Sequence, residues 1–148
     1  MNNKTFLPDL EIFFMALADK TRLRLLNLMR ESEVSVGLLV DILGESQPKV
    51  SRHLASLRSA GIVEARRDGK WIHYKITTPA DDFAARILSN TLEWLYSQEE
   101  MRAEYKRFSG NFMSSNNNEL KNQSRSRDIS DKSNTKENHK QGLEIYLL

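Results

Sequence analysis

Cysteine is missing from all 148 residues. This excludes disulfides, thiolate metal sites and cysteine nucleophiles, and with them a disulfide-built secreted module. Long hydrophobic runs are missing too. The stretch Ile12–Ala18 falls far short of the roughly 20 residues a membrane span needs, and Met1-Asn2-Asn3-Lys4 does not lead into a signal-peptide core. The chain therefore reads as soluble and cytoplasmic, with no membrane partner. Histidine is scarce, and His53, His73 and His139 lie far apart in the sequence. No set of nucleophile, general base and orienting group can be assembled, so neither an enzyme nor a bound cofactor nor a metal site is expected. Apolar residues thin out after Ser114, where Asn, Ser, Lys, Asp and Glu take over. Such a stretch cannot bury enough surface to offset its ordering entropy. Residues 111–148 are accordingly expected to be a disordered polar tail, its apolar close Gly142–Leu148 included, behind a single domain of residues 1–110. No internal repeat is present.

The formal net charge of +2 says little, but its distribution says more. Between Gln47 and Lys75 stand seven cations (Lys49, Arg52, Arg58, Arg66, Arg67, Lys70, Lys75) against two anions (Glu64, Asp68). The flanks Met1–Ser46 and Pro79–Met113 each carry two more anions than cations. A basic centre between acidic flanks suits one face held against a polyanion, although a solvated basic surface would look the same.

Periodicity organises the domain. Pro8 fits the first turn of a helix to about Ala18, with Leu10, Phe13, Phe14 and Leu17 on one stripe and Ile12 and Met15 off it, more apolar surface than one core should need. Asp19 is a natural N-cap for a second helix to about Arg30, apolar almost all round and hence central. Ser35 caps a short third helix, Val36–Leu43. After the break at Gly44-Glu45, Ser46 caps a fourth helix that reaches about Ala60, with Pro48 in its first turn and Val50, Leu54 and Leu57 facing inward. Gly61 suits a left-handed C-terminal cap. Two short helices joined by a glycine-containing turn make a helix-turn-helix. The period then changes. Ile62–Arg67 and Lys70–Thr77 flank Asp68-Gly69, a strong hairpin signal, and a basic hairpin behind a reading helix is a wing. Asp81–Phe108 is helical again, with Ala84, Ile87, Leu88, Thr91, Leu92 and Leu95 on one stripe that Phe83 and Trp94 extend, and a break near Ser97. The expected fold is mainly α with a small β-hairpin: a dimeric winged helix-turn-helix of four helices, a β-wing and a fifth helix.

Lys49 breaks a local rule, since the helix macrodipole disfavours a cation in the first turn. Such violations mark functional positions, and DNA removes this one, because helix-turn-helix proteins point the start of the second helix into the major groove. From there Ser46, Gln47, Lys49, Ser51, Arg52 and His53 reach phosphates or base edges, Gln suiting adenine and Arg suiting guanine. Arg66, Arg67 and Lys70 on the wing would touch backbone or minor groove and supply affinity more than sequence information. Trp71 is assigned to packing at the base of the wing and His73 to a structural role. A winged-helix protein-interaction module is the alternative. The basic reading helix and wing count against it, because interface cores are depleted in charge.

Three motifs in order carry a family resemblance: Leu17-Ala18-Asp19-Lys20-Thr21-Arg22-Leu23-Arg24-Leu25-Leu26, then Ser46-Gln47-Pro48-Lys49-Val50-Ser51-Arg52-His53-Leu54, then Asp68-Gly69-Lys70-Trp71-Ile72-His73-Tyr74. From about Leu7 to Leu95 the chain resembles the ArsR/SmtB family of winged-helix repressors, its arsenic-sensor branch above all. The resemblance implies a repressor bound to a double-stranded operator as a homodimer and released by an inducer, here unknown. It implies an interface between first and last helices, for which Leu10, Ile12, Phe14, Leu88, Leu92 and Leu95 are the candidates. Arsenic-sensing members carry thiolates on the third helix, at positions that here hold Ser35, Gly37 and Val40. A second family metal site uses Asp, His and Glu on the last helix, and no histidine lies between Tyr74 and Asn138.

Overall fold

The computed structural model describes residues 7–110, and the expected tail at 111–148 lies outside them. Helix α1 (Leu7–Leu17) leads through Asp19 into α2 (Lys20–Leu28). The Asp19 carboxylate accepts a hydrogen bond from the Arg22 backbone N–H at 3.0 Å, the capping bond its position predicts. Strand β1 (Val34–Ser35) and helix α3 (Val36–Leu43) follow, and Ser35 caps α3 by accepting from the Leu38 N–H at 3.4 Å. Helix α4 (Gln47–Ser59) comes next, then the hairpin strands β2 (Val63–Asp68) and β3 (Trp71–Ile76) and helix α5 (Asp82–Ser97). A last helix, α6, occupies 99–110 after an interruption at Gln98, so the break expected near Ser97 is present.

The centre is made by α2, α3 and α4. Leu25, Leu26, Leu28, Leu39, Val50, Leu54, Leu57 and Ile62 are all fully buried. Helix α4 stops in a Schellman arrangement: the Ile62 N–H reaches the Leu57 carbonyl and the Gly61 N–H reaches the Arg58 carbonyl, both at 3.0 Å. Gly61 takes the left-handed φ of 70° this requires. Both orphan carbonyls are thus satisfied, and the chain is turned straight into the hairpin.

Two details depart from the sequence reading. The hairpin turn lies one residue later than Asp68-Gly69: Asp68 pairs with Trp71, leaving Gly69-Lys70 as the two-residue loop, with Gly69 alone at positive φ. A glycine at the first loop position is what a type II′ turn demands. The sheet also has three strands, in the order β1-β3-β2, all antiparallel. β1 is two residues long and passes directly into a helix, too short to show alternation in sequence.

α6 is fastened to α2 by polar groups. Asn27, fully buried, donates to the Met101 carbonyl at 2.9 Å. Arg24 bridges the largely buried Glu104 at 2.6 Å. The Arg30 guanidinium lies between the rings of Tyr96 and Tyr105, at 4.3 and 4.4 Å from their centroids. Burial pushes the Tyr96 hydroxyl up to about 12, although the nearby Arg30 charge acts in the opposite direction.

Candidate nucleic-acid interface

Helix α4 has two faces set by its spacing. Val50, Leu54 and Leu57 are fully buried, and this fixes the opposite face outward, where Ser46, Gln47, Ser51 and Arg52 are all exposed. Ser46 holds the N-cap position in extended conformation, yet its hydroxyl makes no capping bond. A cap oxygen accepts from the second or third helical N–H; the second residue here is Pro48, which has none, and the third, Lys49, makes no such bond to Ser46. Ser46 is thus an exposed N-cap whose hydroxyl is not engaged in capping. Arg52 lies along the helix, its Nε donating to the Pro48 carbonyl at 3.3 Å.

Lys49 is less anomalous than its sequence position suggests. Its Nζ lies 2.8 Å from Glu45 Oε1, one turn earlier, and this carboxylate offsets the unfavourable dipole from within the protein. The Glu45–Lys49 spacing was the signal available in sequence. His53 is turned toward α2: its Nδ1 stands 3.5 Å from Asp19 Oδ1 and 3.5 Å from an Arg22 guanidinium nitrogen. Arg22 is itself fixed by α1, donating to the carbonyls of Ala16 at 2.7 Å and Met15 at 2.6 Å. Burial raises the Asp19 carboxyl, but the Arg22 N–H and the charges of Arg22 and His53 outweigh it and hold the group below its usual value. Arg22, Lys49, Arg52, His53 and Ser56 border one cleft of about 370 Å³. Arg22 was not among the expected site residues.

On the wing, Arg66 is held by two carboxylates. It forms a two-pronged pair with Glu33, with Nε to Oε2 at 3.1 Å, and approaches Asp68 at 3.5 Å. The Arg66 hydrogen bond draws the Glu33 carboxyl below its ordinary value. Lys75 pairs with Glu64 at 2.8 Å, which raises the lysine. By contrast, among the described residues no carboxylate is bonded to Arg52, Arg67 or Lys70. Arg67 donates to the Gly69 carbonyl at 3.0 Å, and Lys70 Nζ lies 5.2 Å from the Trp71 ring centroid. Trp71 is not packed at the wing base, as its sequence position suggested. It pairs with Asp68 at the hairpin tip and is 54% exposed.

The candidate interface residues separate into two groups. Ile12 and Phe14 on α1 are 46% and 50% exposed, while Leu10 and Leu92 are half-buried. Leu88 and Leu95 are each 3% exposed and belong to the protomer's own core. The apolar surface α5 leaves open is that of Phe83 and Trp94, and α1 adds Met15. Among the described residues no group of three His, Asp or Glu side chains is placed to hold a metal ion, and no helix is long and apolar enough to cross a membrane.

Known proteins share this arrangement. The family described as bacterial regulatory protein, arsR family, matches residues 19–65, the stretch from the α2 cap into the wing. The arsenical resistance operon repressor of Escherichia coli (strain K12) is 40% identical over 100 residues, which are 67% of this chain and 83% of that protein. The transcriptional repressor BigR of Xylella fastidiosa superposes with a TM-score of 0.51 at 34% identity, over 62% of this chain and 88% of that one. A homodimeric winged helix-turn-helix DNA-binding domain from Mycobacterium bovis, a possible ArsR-family regulator, superposes with a TM-score of 0.50 at 30% identity, over 63% and 87% of the two chains. With 40% identity maintained across 83% of the E. coli repressor, this chain belongs to the ArsR family of bacterial regulatory proteins, on a winged helix-turn-helix fold.

Proposed function

We propose that the protein is a sequence-specific transcriptional repressor of the cytoplasm that binds a palindromic DNA operator as a homodimer and catalyses no reaction. Residues 1–110 are the DNA-binding and dimerisation domain in this reading. The observation that carries it is the exposed face of α4, where Gln47, Ser51 and Arg52 stand over a fully buried Val50, Leu54 and Leu57. A rigid helix presents base-reading groups there, with no neutralising carboxylate on Arg52 among the described residues, and the wing brings Arg67 and Lys70. Gln47 and Arg52 read bases; Ser46, Lys49, Ser51 and, at the edge of the cleft, His53 bind the backbone, as Arg66, Arg67 and Lys70 do on the wing. The exposed apolar residues Ile12, Phe14, Phe83 and Trp94 join two copies, with Leu10 and Leu92 beside them.

Enrichment of duplexes from a randomised library tests this. The selected sequence should be an imperfect palindrome with half-sites about 10–10.5 bp apart or a multiple of that. Affinity should fall with salt at a logarithmic slope of about −0.9 per phosphate neutralised. Salt-independent binding, or no enriched sequence, would overturn the reading.

A further inference from the structure

Large apolar side chains at a hairpin tip are costly to leave in water, and this wing carries two. Trp71 is 54% exposed and Ile72 is 42% exposed. The indole leans over the start of α3, where a Cβ added to Gly37 would stand 3.9 Å from Trp71 Cζ3. Lys70 Nζ lies 5.2 Å from the centre of the same ring. With Gln47 and Ser51 of α4, these residues border a concavity of about 210 Å³ between the exposed face of α4 and the wing. An apolar ring, an ammonium, an amide and a hydroxyl thus share one small surface.

We propose that this concavity seats one sugar–phosphate strand of duplex DNA, with a deoxyribose packed on the Trp71 indole and the adjoining phosphate met by Lys70 and Ser51. The proposal rests on the DNA-binding reading above. A helix in the major groove and a hairpin at the next minor groove straddle the strand that separates the two grooves. That strand is amphipathic, with an apolar sugar edge beside an anion, and the concavity offers the matching pair. Packing on the indole releases no counterions, so the contribution of Trp71 to affinity is independent of salt, unlike that of Lys70.

The test uses the full chain and the duplex it enriches from a randomised library, titrated over a range of salt. Trp71→Ala should bind about tenfold more weakly at every salt concentration, giving a line parallel to the wild type. Lys70→Ala should give a line shallower by about 0.9. Trp71→Phe keeps an aromatic face and should recover most of the affinity, even where the alanine variant is less stable. The wild-type tryptophan emission should change on adding duplex, and that change should vanish in Trp71→Phe. Affinity of Trp71→Ala within about twofold of wild type overturns the proposal, as does an emission change that persists in Trp71→Phe. A wild-type chain that enriches no duplex overturns the DNA-binding reading, and this proposal with it.

Discussion

Glu33 grips Arg66 with both carboxylate oxygens across the central strand of the sheet. Ser35 and Arg66 both pair with His73 in register, so the arginine reaches over β3 to the entrance of β1. The most securely held cation of the wing is therefore already neutralised before any polyanion arrives. Glu33→Gln should release it. Binding to a non-specific duplex should tighten, and the salt slope should steepen by up to about 0.9. Arg66→Ala should weaken binding less than Arg67→Ala does. Salt titrations of the three variants against one scrambled duplex check the order.

Reading and anchoring should separate along α4. Gln47→Ala and Arg52→Ala should relax preference at particular base pairs, by roughly 1–3 kcal/mol where the contact is bidentate. Lys49→Ala should weaken all sequences alike, and only modestly, because Glu45 already partners the ammonium. Competition among single-base variants of the enriched operator distinguishes the two behaviours.

Most of the architecture was legible in the sequence because its punctuation is local. Asp19, Ser35, Gly44, Gly61 and Gly69 each stand where a cap or turn needs them, and they divide the domain nearly residue by residue. What escaped depends on partners distant in sequence. β1 exists through its pairing with β3, and Arg66 is quenched by a glutamate 33 positions earlier. On α5, a single apolar stripe could not say which of its members face inward. Leu88 and Leu95 fill the protomer's core, while Phe83 and Trp94, which only extended that stripe, are exposed. The outward residues of α4 were visible because its inner spacing of Val50, Leu54 and Leu57 leaves one solution.

That division of α5 predicts opposite outcomes for neighbouring substitutions. Phe14→Asp and Trp94→Asp should give folded monomers with much weaker operator binding. Leu88→Ala should instead cost about 2–5 kcal/mol of stability through the cavity it opens. Sedimentation and thermal melts of the three variants would separate assembly from folding. A Trp94→Asp chain that stays dimeric at micromolar concentration would count against the assembly.

Asp19 should govern part of the acid response. Its carboxyl is held below its ordinary value in the folded protein, so the stability it confers is complete above the unfolded value of 3.8. This stability is lost as pH falls through the lower folded value. Asp19→Asn retains a capping oxygen but cannot titrate, and it should flatten that stretch of the stability curve. Asp19→Ala should in addition cost about 1 kcal/mol at neutral pH. Denaturant melts between neutral pH and the acid limb test both.

Arsenite should leave this chain on its operator. Soft metalloids need thiolates, and the chain has none. A triple variant, Ser35→Cys, Gly37→Cys and Val40→Cys, should gain a response. A side chain at Gly37 has ordinary room, 3.9 Å from Trp71, so the helix should accept it. Operator titrations with arsenite, antimonite, zinc and cadmium compare the two chains. Release of the cysteine-free chain by micromolar arsenite would show that other donors suffice.

The amide of Asn27 has consequences for chimeras. Its buried hydrogen atoms are satisfied by a carbonyl 74 residues later, and its neighbour Arg24 by a carboxylate 80 residues later. The two ends of the domain are therefore not interchangeable parts. Grafting the closing helices of another family member onto this helix-turn-helix would strand a buried amide and a cation unless Glu104 and the backbone at Met101 came along, and stranding such groups costs more than the bonds themselves contribute. Natural variation at Arg24, Asn27 and Glu104 should be inherited as a block, so exchange of operator specificity between relatives is easiest through α4 alone.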